Sequence, residues 1–111
     1  SGTESLTSEF LIALNNLAAV IKKSKGEIII AGHTDDRPIK TDRFRSNWDL
    51  STARANSVVQ YLLEFTDVDQ SRLATMGYAD SRPLAANDTE ENRALNRRVE
   101  VIFRKAAPAK P

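Results

Sequence analysis

The residues best equipped for chemistry lie between His33 and Arg54. Asp35 and Asp36 follow a β-branched run, Ile28-Ile29-Ile30, that ends in Ala31-Gly32-His33-Thr34. Groups delivered to a loop by the C-terminal end of a buried strand are where α/β sheets commonly bind ligands. Further on, Leu50-Ser51-Thr52-Ala53-Arg54 opens a helix. Ser51 is a suitable N-cap, which puts Arg54 in the first turn, beside free backbone amides and the positive end of the helix dipole. A cation there is unfavourable unless an anion joins it, so Arg54 with those amides suits a carboxylate. Asp35 suits an ammonium. If the loop folds back, the two grip a zwitterionic, amino-acid-like group. They fit equally well as a plain surface ion pair, worth about 0–1 kcal/mol. On these residues alone the two readings stand level.

Other chemistries find less support. His33, the single histidine, could act as a general base with Asp35 or Asp36, with Ser46 or Ser51 as nucleophile. No Gly-x-Ser-x-Gly elbow presents a serine, and a lone histidine at a strand end is more often a satisfied structural group. One histidine with two aspartates is thin for zinc. The glycines at 26, 32 and 77 are scattered singly, so no phosphate loop is present. Arg93, Arg97 and Arg98 surround Asn96. Such a run is usually a solvated face, but Arg93 and Arg97 bracket a helix end and offer a second wall of anion-binding forks.

The elements that must position these groups are legible in order. Thr7 is the expected N-cap of a first helix, with Leu6 and Leu11 as a hydrophobic staple. Phe10, Leu14, Leu17 and Ile21 recur at spacings of four, three and four, widened by Ala18, and mark its buried face. Lys22, Lys23 and Lys25 suit its C-terminal end, and Gly26 is expected to supply the left-handed stop. Ile28 to Ala31 form a core strand. The segment Asp36 to Trp48 is the longest irregular stretch, and Ile39, Phe44 and Trp48 are expected to pin it to the body or to a second copy of the protein. A second helix is expected from about Thr52 to Phe65, burying Ala55, Val58, Val59 and Leu62. Leu73 to Tyr78 read as a strand, and Asp88 with Glu91 as a capping box for a short helix ending near Asn96. Val99, Val101 and Phe103 alternate with Arg98, Glu100 and Arg104 as a half-buried strand. This order indicates an α/β or α+β fold, helices against one sheet, with the strands flanking the second helix parallel.

At 111 residues, with 41% apolar and 28% charged content, the chain is a single soluble domain, expected over 1–105 with a disordered tail at 106–111. A net charge of +1 gives no electrostatic case for nucleic acid or an anionic membrane surface. The absence of cysteine excludes disulfides and thiolate chemistry. Ser1-Gly2-Thr3 in place of an initiator Met indicates a processed chain or excised domain, with any anchor upstream.

Three motifs in order resemble the OmpA-like peptidoglycan-binding domain: Gly32-His33-Thr34-Asp35, then Asn47-x-x-Leu50-Ser51-x-x-Arg54-Ala55, then Arg93-Ala94-x-Asn96-Arg97-Arg98-Val99. The resemblance covers Leu6 to Phe103 and implies a β-α-β-α-β-β layout with a mixed sheet and the first strand largely missing here. Within the family, Asp36-x-Pro38-Ile39, Phe44 and Ser46-Asn47-Trp48-x-Leu50-Ser51 are most similar to flagellar stator B subunits of the MotB or PomB type, because outer-membrane relatives usually have a shorter loop. Asn92 and Arg45 depart from the Gly and Pro common at those positions. The resemblance implies no catalysis and no cofactor. It implies that Asp35 and Arg54 hold the diaminopimelate of a peptidoglycan stem peptide, that Thr34, Asn47 and Leu50 add contacts, and that Arg97 and Arg93 face its acidic groups. It further implies a periplasmic homodimer, joined through an N-terminal membrane helix to a stator A subunit, with an outer-membrane tether as the alternative role.

Overall fold

The computed structural model describes residues 7–105. Leu6 of the expected staple and the tail from Ala106 lie outside that range. The elements run α1 (Ser8–Lys23), β1 (Glu27–Gly32), α2 (Asn47–Phe65), a 3₁₀ turn (Gln70–Arg72), β2 (Leu73–Gly77), α3 (Glu90–Asn96) and β3 (Val99–Arg104). The three strands form one mixed sheet in the order β2-β1-β3. β1 is parallel to β2, as the intervening helix requires, and antiparallel to β3.

β1 is the spine. Ile28 and Ile30 face the helices and join Leu14, Ala18 and Ile21 of α1 with Ala55, Val58 and Leu62 of α2 in one buried cluster. Val99, Val101 and Leu73 close its edges from the flanking strands. The expected stripes on both helices are therefore the ones buried, while Phe103, at the end of an edge strand, is largely exposed. α1 begins where expected, with Thr7 Oγ1 accepting from the Phe10 amide. Its end departs from expectation: Ser24 is the C-cap, and both its amide and its hydroxyl donate to the Ile21 carbonyl. Arg72 donates to that carbonyl and to Gly26 O. Gly26, at φ 96°, serves the turn into β1 instead.

α2 starts earlier than the sequence reading placed it. Its N-cap is Ser46, whose Oγ accepts from the Asp49 amide while the Asp49 carboxylate accepts from the Arg45 amide. This reciprocal cap outcompetes Ser51, which is fully buried inside the helix. It also accounts for Arg45, since a proline there would have no N–H to give. α3 is likewise capped one residue later than expected, by Thr89, with Asp88 Oδ1 taking the Asn92 side chain instead. Asn92 has helical backbone, so the position makes no conformational demand for glycine.

The tightest packing lies between α2 and the strand ends. A Cβ on Gly32 would sit 2.0 Å from Ser51 O, and one on Gly77 2.3 Å from Thr52 Oγ1. Gly32 and Gly77 are register partners on adjacent strands, so together they form a flat seat for the first turns of α2. A backbone carbonyl cannot yield as a flexible side chain can. Gly32→Ala is expected to cost about 3 kcal/mol, at the upper end for overpacking, read as a lower urea midpoint at unchanged slope.

Candidate functional site

Beyond the glycine seat, β1 runs into His33-Thr34-Asp35, and this segment is fixed from both sides. The His33 amide donates to Arg98 O, and the Thr34 amide to Ala79 O. Ala79 has a left-handed backbone at φ 54°, unusual for a residue with a Cβ. Its amide is held by Ser51 Oγ at 3.0 Å. The serine expected to cap a helix thus ties α2 to the loop after β2, which in turn ties down Thr34. Asn96, also fully buried, clamps a neighbouring loop by accepting from the Leu84 and Ala85 amides and donating to Ala85 O.

A cleft of ≈ 340 Å³ opens here. Thr34 and Asp35 supply its floor, Asn47, Leu50 and Arg54 its α2 wall, and Arg97 the side toward α3. Arg37, Pro38 and Ile39 close it from the loop. The α2 residues share one helix face because their spacings, three and four, follow the helical repeat. Arg93, expected beside Arg97, stands off this lining: it pairs with Glu90 and donates to Asn87 O. Arg37, Pro38 and Ile39 were not singled out as site residues. Their available signal was the Asp-x-Arg-Pro spacing, which favours a turn that folds an arginine back on the aspartate.

Asp35 carries the densest set of partners. Its side chain is 7% exposed. Oδ1 accepts from the Arg37 amide at 3.0 Å, and Oδ2 from Arg37 Nη2 at 3.0 Å and Arg97 Nη1 at 2.6 Å. Burial pushes its pKa upward, but the Arg37 and Arg97 hydrogen bonds outweigh that and leave it at about 2. Arg97 is held from its other side by Glu90 Oε2 at 2.5 Å.

Arg54 is the contrasting case. Its Nη1 donates to His33 O at 3.0 Å, and no carboxylate among the described residues lies within ion-pair distance of it. It sits in the third turn of α2, where the backbone amides are already consumed by the helix, so the anion-binding amides expected beside it are not available. Burial, then the Arg97 charge, disfavours its protonated form, while Asp35 favours it. A half-buried guanidinium with one carbonyl partner retains donors for an anion. The plain Asp35–Arg54 ion pair is absent. The two line one cleft with opposite charges and different needs.

Asn47 Nδ2 donates to Arg37 O at 3.1 Å and Asp35 O at 3.4 Å, bracing the loop wall. Phe44 is buried and pins that loop as expected, whereas Trp48 is 56% exposed and does not pin it to the body of the chain. His33 is buried on another side of the strand end, its ring stacked on Tyr78 and its Nε2 3.2 Å from Glu100 Oε1. Burial, then Arg98, lowers its pKa, so it is neutral near pH 7.

The depressed Asp35 pKa fixes a sign. Its stabilisation is complete above the ordinary carboxylate value of 3.8 and is lost as pH falls from there through about 2. Between those limits the wild type is expected to lose on the order of 2 kcal/mol more stability than Asp35→Asn, measured by urea denaturation at stepped pH.

Comparison with known proteins places this geometry. Residues 1–97 match the OmpA family. Motility protein B of Bacillus subtilis (strain 168) is 47% identical over 76 residues, covering 68% of this chain and 29% of that protein. The C-terminal domain of Helicobacter pylori MotB has the same fold at TM-score 0.86 and 31% identity, over 95% of this chain and 80% of that one. The cell wall anchor of the T6SS from Pseudomonas aeruginosa gives TM-score 0.82 and 42% identity, over 93% and 72%. The chain spans well under half the length of the curated relatives it matches, 29% to 40% of three of them. The matched residues take in β1, α2 and the cleft between them, and the chain belongs to the OmpA family.

Proposed function

We propose that this domain is a non-catalytic peptidoglycan anchor of a flagellar stator, holding the diaminopimelate of a stem peptide in the cleft between β1 and α2. The observation that carries this reading is that Asp35 and Arg54 line one cleft without pairing with each other. Diaminopimelate presents an ammonium and a carboxylate on one carbon. The carboxylate meets the Arg54 guanidinium, and the ammonium meets the Asp35 carboxylate. Thr34, Asn47 and Leu50 shape the cleft around that carbon, and Arg97 turns toward the remaining acidic groups. Arg93 acts through Glu90, which it helps to hold.

Several facts support the wider role. Relatives include motility protein B and a protein described as a cell wall anchor. Motility protein B is much longer than this chain, leaving room for the membrane helix that would join a stator A subunit, and the domain would act as one of two copies in a dimer. The domain would work in the periplasm, where the wall is. Pro38 and Ile39 of the long loop form part of the cleft, which favours the stator over an outer-membrane tether. A hydrolase built on His33 is disfavoured, because that ring is buried outside the cleft lining.

Calorimetric titration with a diaminopimelate-containing muropeptide tests the reading. Arg54→Ala and Asp35→Asn are each expected to weaken binding by roughly tenfold or more, the scale of losing a desolvated charge partner. A lysine-containing muropeptide, which lacks the side-chain carboxylate, is expected to lose a similar amount, while Arg93→Gln stays within about twofold. Equal binding of both muropeptides would overturn the zwitterion clamp.

A further inference from the structure

The ammonium side of this cleft is already taken by a cation of the protein itself. Arg37 reaches Asp35 twice, through its backbone amide to Oδ1 and through Nη2 to Oδ2. With Arg97 also on Oδ2, that oxygen has no room for a third strong donor. The two guanidiniums are not equally fixed. Arg97 is 24% exposed and bridges Asp35 and Glu90 with contacts of 2.6 and 2.5 Å. Arg37 is 57% exposed, holds Asp35 by one side-chain bond at 3.0 Å, and lies 3.6 Å from Glu90 Oε1.

We propose that Arg37 is a tethered competitor for the ammonium subsite, displaced from Asp35 by the ligand's ammonium and kept at the cleft edge by the Glu90 carboxylate it already faces. This deepens the reading of the cleft as a zwitterion clamp and rests on it. Three features let the exchange occur at small cost. The Arg37 amide keeps its bond to Oδ1 when the side chain leaves, so the loop wall stays closed. Glu90, the first residue of α3, is favoured there as an anion by the helix end and is already placed by Arg97 and Arg93. The exposed guanidinium gives up one ion pair of modest worth and keeps the one it already makes with Glu90.

The consequence is a filter on ligand chemistry. In the free domain Asp35 is neutralised, so a chance cation gains little by entering. A ligand that brings only a carboxylate finds Arg54 but leaves Arg37 seated. A ligand bearing both groups displaces Arg37 while Arg54 takes its carboxylate, so the cost of exchange falls only on the ligand able to repay it. Arg37 is therefore a specificity-determining residue rather than a contact that adds affinity.

The test compares wild type with Arg37→Gln, a change at an exposed side chain that keeps the backbone bond. The probes are a stem tripeptide ending in diaminopimelate and the same peptide acetylated on the free diaminopimelate amine. Arg37→Gln is expected to bind the free-amine peptide roughly twofold to fivefold more tightly, the worth of one such ion pair, with no gain for the acetylated peptide. In the free domain, carbon-13 titration of the Asp35 carboxyl should show its pKa higher in Arg37→Gln than in wild type, which establishes that the side chain occupies the carboxylate in solution. Binding that is weakened or unchanged for the free-amine peptide would overturn the proposal while leaving the clamp standing. Failure of both proteins to bind either peptide would overturn the clamp, and the competitor with it.

Discussion

The structure depends on one close approach, that of the α2 backbone to Gly32 and Gly77. Two register-paired glycines at the ends of parallel strands let the helix lie against the sheet, its backbone over Gly32 and the short side chains of Ser51 and Thr52 over Gly77. Everything charged is positioned from that seat. It sets Ser51 against Ala79, Ala79 against Thr34, and Arg54 against the His33 carbonyl. Fully buried polar groups such as Ser51 and Asn96 would each be a liability unpaired, and here each is satisfied by backbone. The strand end is thereby clamped by hydrogen bonds from three directions before any ligand arrives.

Above that clamp, electrostatics separates two arginines by their partners. Arg97 is held between Asp35 and Glu90, whereas Arg54 is desolvated, repelled by Arg97, and held only by a carbonyl. Buried ion pairs add little to stability once desolvation is counted, and their better-attested use is to specify an arrangement. The Arg97–Asp35 pair fits that use: it fixes where negative charge sits so that the unmatched positive charge falls on Arg54.

How far the sequence foretold this varies with the range of the interaction. Periodicity alone located the buried faces of α1 and α2 and the central strand, because burial acts on every turn and leaves a repeated mark. Asp35 and Arg54 were legible as candidate site residues, but whether they pair with each other stood level on the sequence and is decided only by the fold. The start of α2 was not read correctly, since Ser46 and Ser51 both look like caps and only the Asp49 carboxylate reaching back to the Arg45 amide decides between them. The error mattered: it put Arg54 beside free amides that the real helix has already used. Arg37 is only weakly legible, through the Asp-x-Arg-Pro spacing, because its contact with Asp35 also depends on the loop being braced by Asn47. Ser51, Ala79 and Asn96 leave no periodic signal at all, as each acts once, across the fold.

His33 shows how a residue suited to chemistry can serve a site without entering it. Strand alternation turns its ring away from the cleft, into a layer with Tyr78, over which Arg82 lies at 4.0 Å. Glu100, held by Arg98, meets its Nε2. This layer fixes the peptide whose carbonyl holds Arg54, so the histidine acts on the cleft through its backbone. For a tether that division is apt. Affinity differences among related complexes lie mostly in the dissociation rate, and desolvated charge pairs govern that rate more than exposed ones do. An anchor under load needs the walls that hold those charges to stay rigid, and here they rest on a strand and a helix locked together at two glycines. The exposed loop carrying Arg37 is a wall not built from that pair, and it is where the cleft has freedom to discriminate between ligands before the rigid part closes on their charge.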